Sequence, residues 1–138
     1  MREILFRGQT RRKGQKVWMD GSPVDSNWVE GYGVCMGKGD FSVIYAGDHV
    51  EKFTVYTDTV VQFTGLTDKN GKKIFEHDIV QAHFRNNHSK QTFRVIFDDG
   101  MFLFDNNHVK VPKYDIYSMK VIGNIYDNPE LLGGTDNG

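Results

Sequence analysis

Thr64-Gly65-Leu66-Thr67-Asp68-Lys69-Asn70-Gly71-Lys72-Lys73-Ile74-Phe75-Glu76-His77-Asp78-Ile79-Val80 is the stretch from which the rest of the chain can be read. It begins where a β-rich run, Val60-Val61-Gln62-Phe63, ends. It turns at Asn70-Gly71 and launches a new strand at Ile79-Val80. Asn-Gly is the strongest short-range turn signal, because both residues accept positive φ. The run predicts a structural hinge between an N-terminal β region and a C-terminal one. It carries no catalytic or metal-binding motif.

Beyond the hinge, Ile79 to Phe84 reads as a strand, with Val80, Ala82 and Phe84 on one face by the period of two. Arg85-Asn86-Asn87-His88-Ser89 is a polar loop. Thr92 to Asp98 and Met101 to Asp105 then flank Asp99-Gly100, a type I′ candidate. A two-residue loop sets Phe97 opposite Phe102 and Val95 opposite Phe104, with Phe93 on the same apolar face. Ile96 then faces Leu103, and Asp98 faces Met101, on the other side. Met119 to Tyr126 is the last strand. Asn128 and Pro129 suit the N-cap and first position of one helical turn over Glu130-Leu131-Leu132. Gly133 to Gly138 reads as a disordered tail. About five short strands between Asp78 and Tyr126 predict a small, partly open barrel. Its start, Glu76-His77-Asp78-Ile79-Val80, resembles the entry to an SH3-like barrel.

Before the hinge, Ile4-Leu5-Phe6 and Val17-Trp18-Met19 read as strands joined across the polar loop Gln9 to Gln15. Residues 22–30 read as irregular. Tyr32 to Met36 and Phe41 to Tyr45 form a hairpin around Gly37-Lys38-Gly39, and Gly47-Asp48 turns the chain again. Phe53 to Tyr56 and Thr59 to Phe63 are β-branched and aromatic, and so are strands.

Composition agrees with this reading. The chain has 138 residues, 38% apolar and 13% aromatic, with ten Phe and six Tyr. That suffices for a core without disulfides. The single cysteine, Cys35, has no internal partner, which points to a reducing cytosol. No apolar run reaches signal or membrane-span length, so no membrane association is expected. Net charge is −1, but it is unevenly spread. Residues 1–16 set six cations against Glu3, a net +5, while residues 17–63 set two lysines against seven carboxylates, a net −5. A basic start beside an acidic middle suits nucleic acid, or pairing within or between chains.

Catalytic readings fail on pattern. The five histidines include no HExxH. Gly31-Tyr32-Gly33-Val34-Cys35-Met36-Gly37-Lys38-Gly39-Asp40 lacks the Ser or Thr and the following helix of a phosphate loop. Asp98 and Asp99 sit where a turn wants them, and Glu76 and Asp78 suit acceptors for backbone N–H groups. No cofactor, metal or catalytic residue is expected.

Three pieces resemble the YopX-like proteins of phages and prophages. The central one is Phe63 to Lys72 with Ile74-Phe75-Glu76 and Asp78-Ile79-Val80. The others are Arg2-Glu3-Ile4-Leu5-Phe6-Arg7 at the start and Val121 to Leu132 at the close. Residues 20–58 contribute no matching piece. The family usually carries Gly where this chain has His77, which implies positive φ there. The resemblance implies a phage origin and a mostly β fold, and no activity.

The expectation is a mainly β chain with an N-terminal β-rich region (residues 1–63), a C-terminal SH3-like small barrel (64–128) and a short helical turn with a disordered tail (129–138). The leading function is a non-catalytic binding or assembly module of a phage or prophage. Its partner would be a second copy of the chain, joined through Ile96, Met101 and Leu103, or a host or phage protein. The alternative is a nucleic-acid binder using Arg7, Arg11, Arg12, Lys13 and Trp18, a basic segment with an aromatic to stack on.

Overall fold

A computed structural model describes residues 3–10, 17–19, 22–24, 27–46, 51–86 and 89–132. The fold is mainly β, and the chain divides into two compact units, Met1–Phe63 and Thr64–Gly138.

In the first unit the strands are β1 (Phe6–Gln9), β2 (Val17–Met19), β3 (Ser22–Val24), β4 (Trp28–Gly31), β5 (Gly33–Cys35), β6 (Phe41–Ala46), β7 (Glu51–Tyr56) and the start of β8 (Val61–Thr67). β5 and β6 form the antiparallel hairpin expected around Gly37-Lys38-Gly39, and β7 adds a third strand beside β6. Two expectations change. β1 pairs with β4 and β8, while β2 pairs with β3. Residues 22–30, read as irregular, hold β3 and β4. β3 pairs with its near neighbour β2, but β4 owes its strand character to β1, about twenty residues earlier, which alternation within so short a stretch does not reveal.

Glycine lets the layers of this unit approach. A Cβ on Gly31 would meet the Tyr45 carbonyl oxygen at 2.1 Å, and one on Gly8 would lie 2.8 Å from Val55 Cγ2. Leu5, Ile44, Val55, Val61 and Phe63 fill the space between. Thr59 is fully buried. Its Oγ1 accepts from Gln9 N at 2.8 Å and donates to the Tyr56 carbonyl at 2.7 Å.

β8 does not stop at Phe63, as its composition suggested, but runs to Thr67, because β9 (Lys73–Phe75) lies beside it in the second unit. Thr64 Oγ1 donates to the Ile74 carbonyl at 2.7 Å. The main sheet of this unit is made of β10 (Asp78–Phe84), β11 (Lys90–Asp98), β12 (Met101–Asp105), β13 (Lys110–Val111) and β14 (Ile116–Asn124). Its order is β13-β12-β11-β10-β14, with a 3-10 turn at Lys113–Asp115 before the last strand. A meander whose final strand returns beside its first is compatible with a partly open, SH3-like barrel.

The hairpin has the expected register: Val95 opposite Phe104, Ile96 opposite Leu103, Phe97 opposite Phe102 and Asp98 opposite Met101. Asp99 (φ 54) and Gly100 (φ 79) both take the left-handed backbone that a type I′ turn requires. The apolar face is only partly covered, however. Phe93, Val95 and Phe104 are fully buried with Ile74, Val80, Ala82 and Ile116, each worth about 1.5–3 kcal/mol for the larger side chains. Phe97 is 53% exposed and packs edge-on against Phe102 at 5.0 Å. The core ends one rung before the hairpin tip.

Two turns show how local chemistry works here. His77 has φ 71, and its Nδ1 lies 2.8 Å from the Tyr126 hydroxyl. At Asn70-Gly71 only Gly71 (φ 83) is left-handed among the pair. The turn is held instead by Asp68, whose carbonyl accepts from Gly71 N at 3.0 Å and whose N–H donates to the Lys72 carbonyl at 2.8 Å. A single helical turn covers residues 130–132. Asn128 serves it differently from a simple cap, since its Oδ1 accepts from Asn124 N at 3.2 Å. Residues 133–138 lie outside the described residues.

Candidate anion-binding groove

Three strands of the second unit build the candidate site. On β10, Val80 and Ala82 are buried, so the period of two sends Gln81 and His83 outward. On β11, Phe93 and Val95 are buried, and Lys90 lies opposite His83. On β14, Met119 and Val121 are buried, while Ser118 lies opposite His83 and Lys120 opposite Gln81. Antiparallel pairing therefore sets Lys90, His83 and Ser118 in one row and Gln81 and Lys120 in the next. Neighbouring strands stand about 4.8 Å apart, so these groups lie close together on one face.

Lys69 completes the set from the turn before β9. Its N–H donates to the Met119 carbonyl at 3.0 Å. Asp68 fixes that turn against the edge of β14. Its Oδ2 accepts from Val121 N at 2.9 Å, and its Oδ1 accepts from the N–H groups of Asn70 and Lys72, each at 2.9 Å. Burial pushes the Asp68 carboxyl up, but the Val121, Lys72 and Asn70 N–H groups and the Lys72 charge outweigh it, holding the group below the ordinary carboxylate value. Asp68 thus stays ionised, with its charge spent on backbone donors.

The result is a groove of about 210 Å³ lined by Lys69, Gln81, His83, Lys90, Ser118, Met119 and Lys120. Among the described residues no carboxylate lines it. Three ammonium groups with amide and hydroxyl donors suit a phosphate, each lysine acting as a point charge.

Other carboxylates of this unit are occupied structurally. Asp78 accepts from Phe75 N at 2.8 Å, Asp105 takes Arg94 at 3.2 Å and Asn107 N at 3.0 Å, and Asp98 pairs with Lys110 at 3.0 Å. Among the described residues no group of three or more His, Cys, Asp or Glu could hold a metal. A second cavity, about 420 Å³, is lined by Phe84, Arg85, Asn86, Val109, Val111 and Asp115 and is more apolar. No helix among the described residues is long and apolar enough to cross a membrane.

The residues singled out in the sequence are not gathered here. Arg7 belongs to the first unit and is buried, 8% exposed, with its guanidinium 4.7 Å from the Trp28 ring centroid. It is a packed cation–π partner and not a solvent-facing phosphate contact. Arg11, Arg12 and Lys13 lie outside the described residues, as does the side chain of Trp18, whose backbone pairs with Pro23 in the β2–β3 ribbon. Ile96 and Leu103 are half-buried, and Met101 is 49% exposed. Lys69, His83, Lys90 and Lys120 were missed. For His83, Lys90 and Lys120 the signal was the polar alternate of each strand pattern, which specifies an outward face without saying which strands share it, and Lys69 in its turn had none.

The YopX protein family model matches residues 26–133, including most of the stretch in which the sequence offered no matching piece. The SPbeta prophage-derived uncharacterized protein YopX of Bacillus subtilis (strain 168) is 31% identical over 98 residues, covering 58% of this chain and 72% of the relative. The crystal structure of protein EF1440 from Enterococcus faecalis superposes with a TM-score of 0.50 at 25% identity, covering 94% of this chain and 97% of that one.

Proposed function

We propose, on the premise that the chain belongs to the YopX family of prophage-derived proteins, that it is a non-catalytic binding module for a phosphate-bearing polyanion. The observation that carries this is the convergence of Lys69, Lys90, Lys120 and His83 on one groove with no carboxylate among its described lining. Absence of catalysis is supported by the employment of Asp68, Asp78 and Asp105. Each is buried and accepts backbone or arginine donors, so its oxygens are taken up by the fold.

The test is titration of labelled inorganic polyphosphate at several salt concentrations, on the wild type and on Lys69→Ala/Lys90→Ala/Lys120→Ala. Wild-type binding should weaken linearly in log–log form with salt, and the triple variant should bind weakly with a flatter slope. An unchanged slope in the triple variant removes the groove. The same titration on Arg11→Ala/Arg12→Ala/Lys13→Ala reports on the basic segment near the start, and loss there alone would move the site to it.

A second reading, assembly of copies through Ile96, Met101 and Leu103, is supported by the exposed apolar hairpin tip. Phe97 on one face and Met101 on the other are 53% and 49% exposed.

A further inference from the structure

Beside the groove, β14 departs from strand alternation. Phe84 pairs with Ile116 but His83 pairs with Ser118, so the register of β14 shifts by one residue at Tyr117. Burial shows the same irregularity. Ile116 (2%) and Met119 (6%) point inward, and the two residues between them, Tyr117 and Ser118, are both outside. Strict alternation would have sent one of those two into the core. A β-bulge re-aims a side chain in this way, and bulges recur beside functional sites. Here it leaves Tyr117 63% exposed next to Ser118, which lines the groove.

We infer that Tyr117 stacks a base of a single-stranded nucleic acid whose backbone phosphates lie on Lys120, Lys69 and Lys90. The inference rests on the polyanion reading of the groove and names its ligand. Tyr117 and Lys120 are three residues apart on a strand rising about 3.3 Å per residue, which places the cation roughly 10 Å along from the ring. Lys90 stands two strands across from β14, also roughly 10 Å away. A flat aromatic at the end of a short cationic track is how sequence-tolerant single-strand binders work: every base offers a π-face, and the charges follow the backbone. A duplex keeps its bases stacked on each other, so Tyr117 would find no face to stack on.

The experiment is fluorescence anisotropy with a labelled oligothymidylate, a duplex of equal length and polyphosphate, on the wild type, Tyr117→Ala, Tyr117→Phe and Lys120→Ala. The oligothymidylate should bind tighter than the duplex. Tyr117→Ala should weaken it by about five- to 150-fold, the range set by one lost base stack. Tyr117→Phe should keep most of the affinity, because a phenyl ring still stacks. Tyr117→Ala should leave polyphosphate affinity and the salt slope unchanged, while Lys120→Ala should lower both. If Tyr117→Ala binds oligothymidylate within twofold of wild type, or the duplex binds as tightly, the single-strand inference is overturned. Retained polyphosphate binding in that case leaves the groove reading standing. If the wild type binds neither polyphosphate nor oligothymidylate, both readings fall.

Discussion

Asp68→Asn replaces one carboxylate oxygen by an amide nitrogen at nearly constant volume. In the wild type three backbone N–H groups, from Asn70, Lys72 and Val121, donate to the carboxylate at 2.9 Å each. Asp68 is 7% exposed, so water does not readily take over. An asparagine can keep its oxygen on the Asn70–Lys72 side, but its Nδ2 then aims a donor at the Val121 donor. One charge-assisted hydrogen bond is lost, about 1.5–3 kcal/mol, and the Val121 N–H loses its acceptor, a penalty that overlaps with the first. A cost of about 3 kcal/mol at neutral pH follows, larger for Asp68→Ala, which removes all three acceptor contacts.

The pH dependence has a definite sign. The folded Asp68 pKa lies below its ordinary 3.8. Its contribution to stability is therefore present above the unfolded value and is lost as pH falls through the folded one. The difference between wild type and Asp68→Asn should thus be greatest at neutral pH and shrink below about pH 4. Tryptophan fluorescence is the wrong probe, since Trp18 and Trp28 both belong to the first unit. Amide hydrogen exchange along β14, followed through urea at neutral and acid pH, reads the affected unit directly. Wild-type protection of the Val121 amide in Asp68→Asn, or a cost that is the same at both pH values, would refute the clamp.

Gly71→Val and Gly100→Val test the turns. Their φ values are +83° and +79°, and no atom lies within 4 Å of an added Cβ, so the penalty is purely conformational. Each should lower the thermal midpoint of the second unit through a cost of about 1–2 kcal/mol, and unchanged midpoints in both would mean that these turns relax freely. For assembly through the hairpin, light scattering after size exclusion should give a wild-type mass above one chain and a smaller mass for Leu103→Lys. A wild-type mass of one chain at micromolar concentration would end that reading.

Short-range chemistry was legible in the chain. Asp99-Gly100 set a two-residue loop, and with a period of two that loop determined every pairing from Val95–Phe104 to Asp98–Met101. The positive φ of Gly71 followed from its turn, that of His77 from the Gly the YopX-like proteins usually carry there, and the resemblance itself mainly from the run Phe63 to Val80. Each of these depends on residues near one another in sequence, where sterics and hydrogen bonding act without help from the rest of the fold.

Only the tertiary structure decided the remainder. Arg7 looked like a free cation in a basic segment, but packing against Trp28 buried it. Asp68 looked like an ordinary turn residue, but Val121, 53 positions away, made it the clamp on β14. Trp28-Val29-Glu30 looked irregular until β1 supplied a partner. Lys69, His83, Lys90 and Lys120 were unremarkable polar positions until β10 was set between β11 and β14. A strand's sequence specifies which side chains point outward. Which other outward side chains they meet is settled by long-range burial and sheet pairing, whose energies belong to pairs of segments and are written in neither one alone.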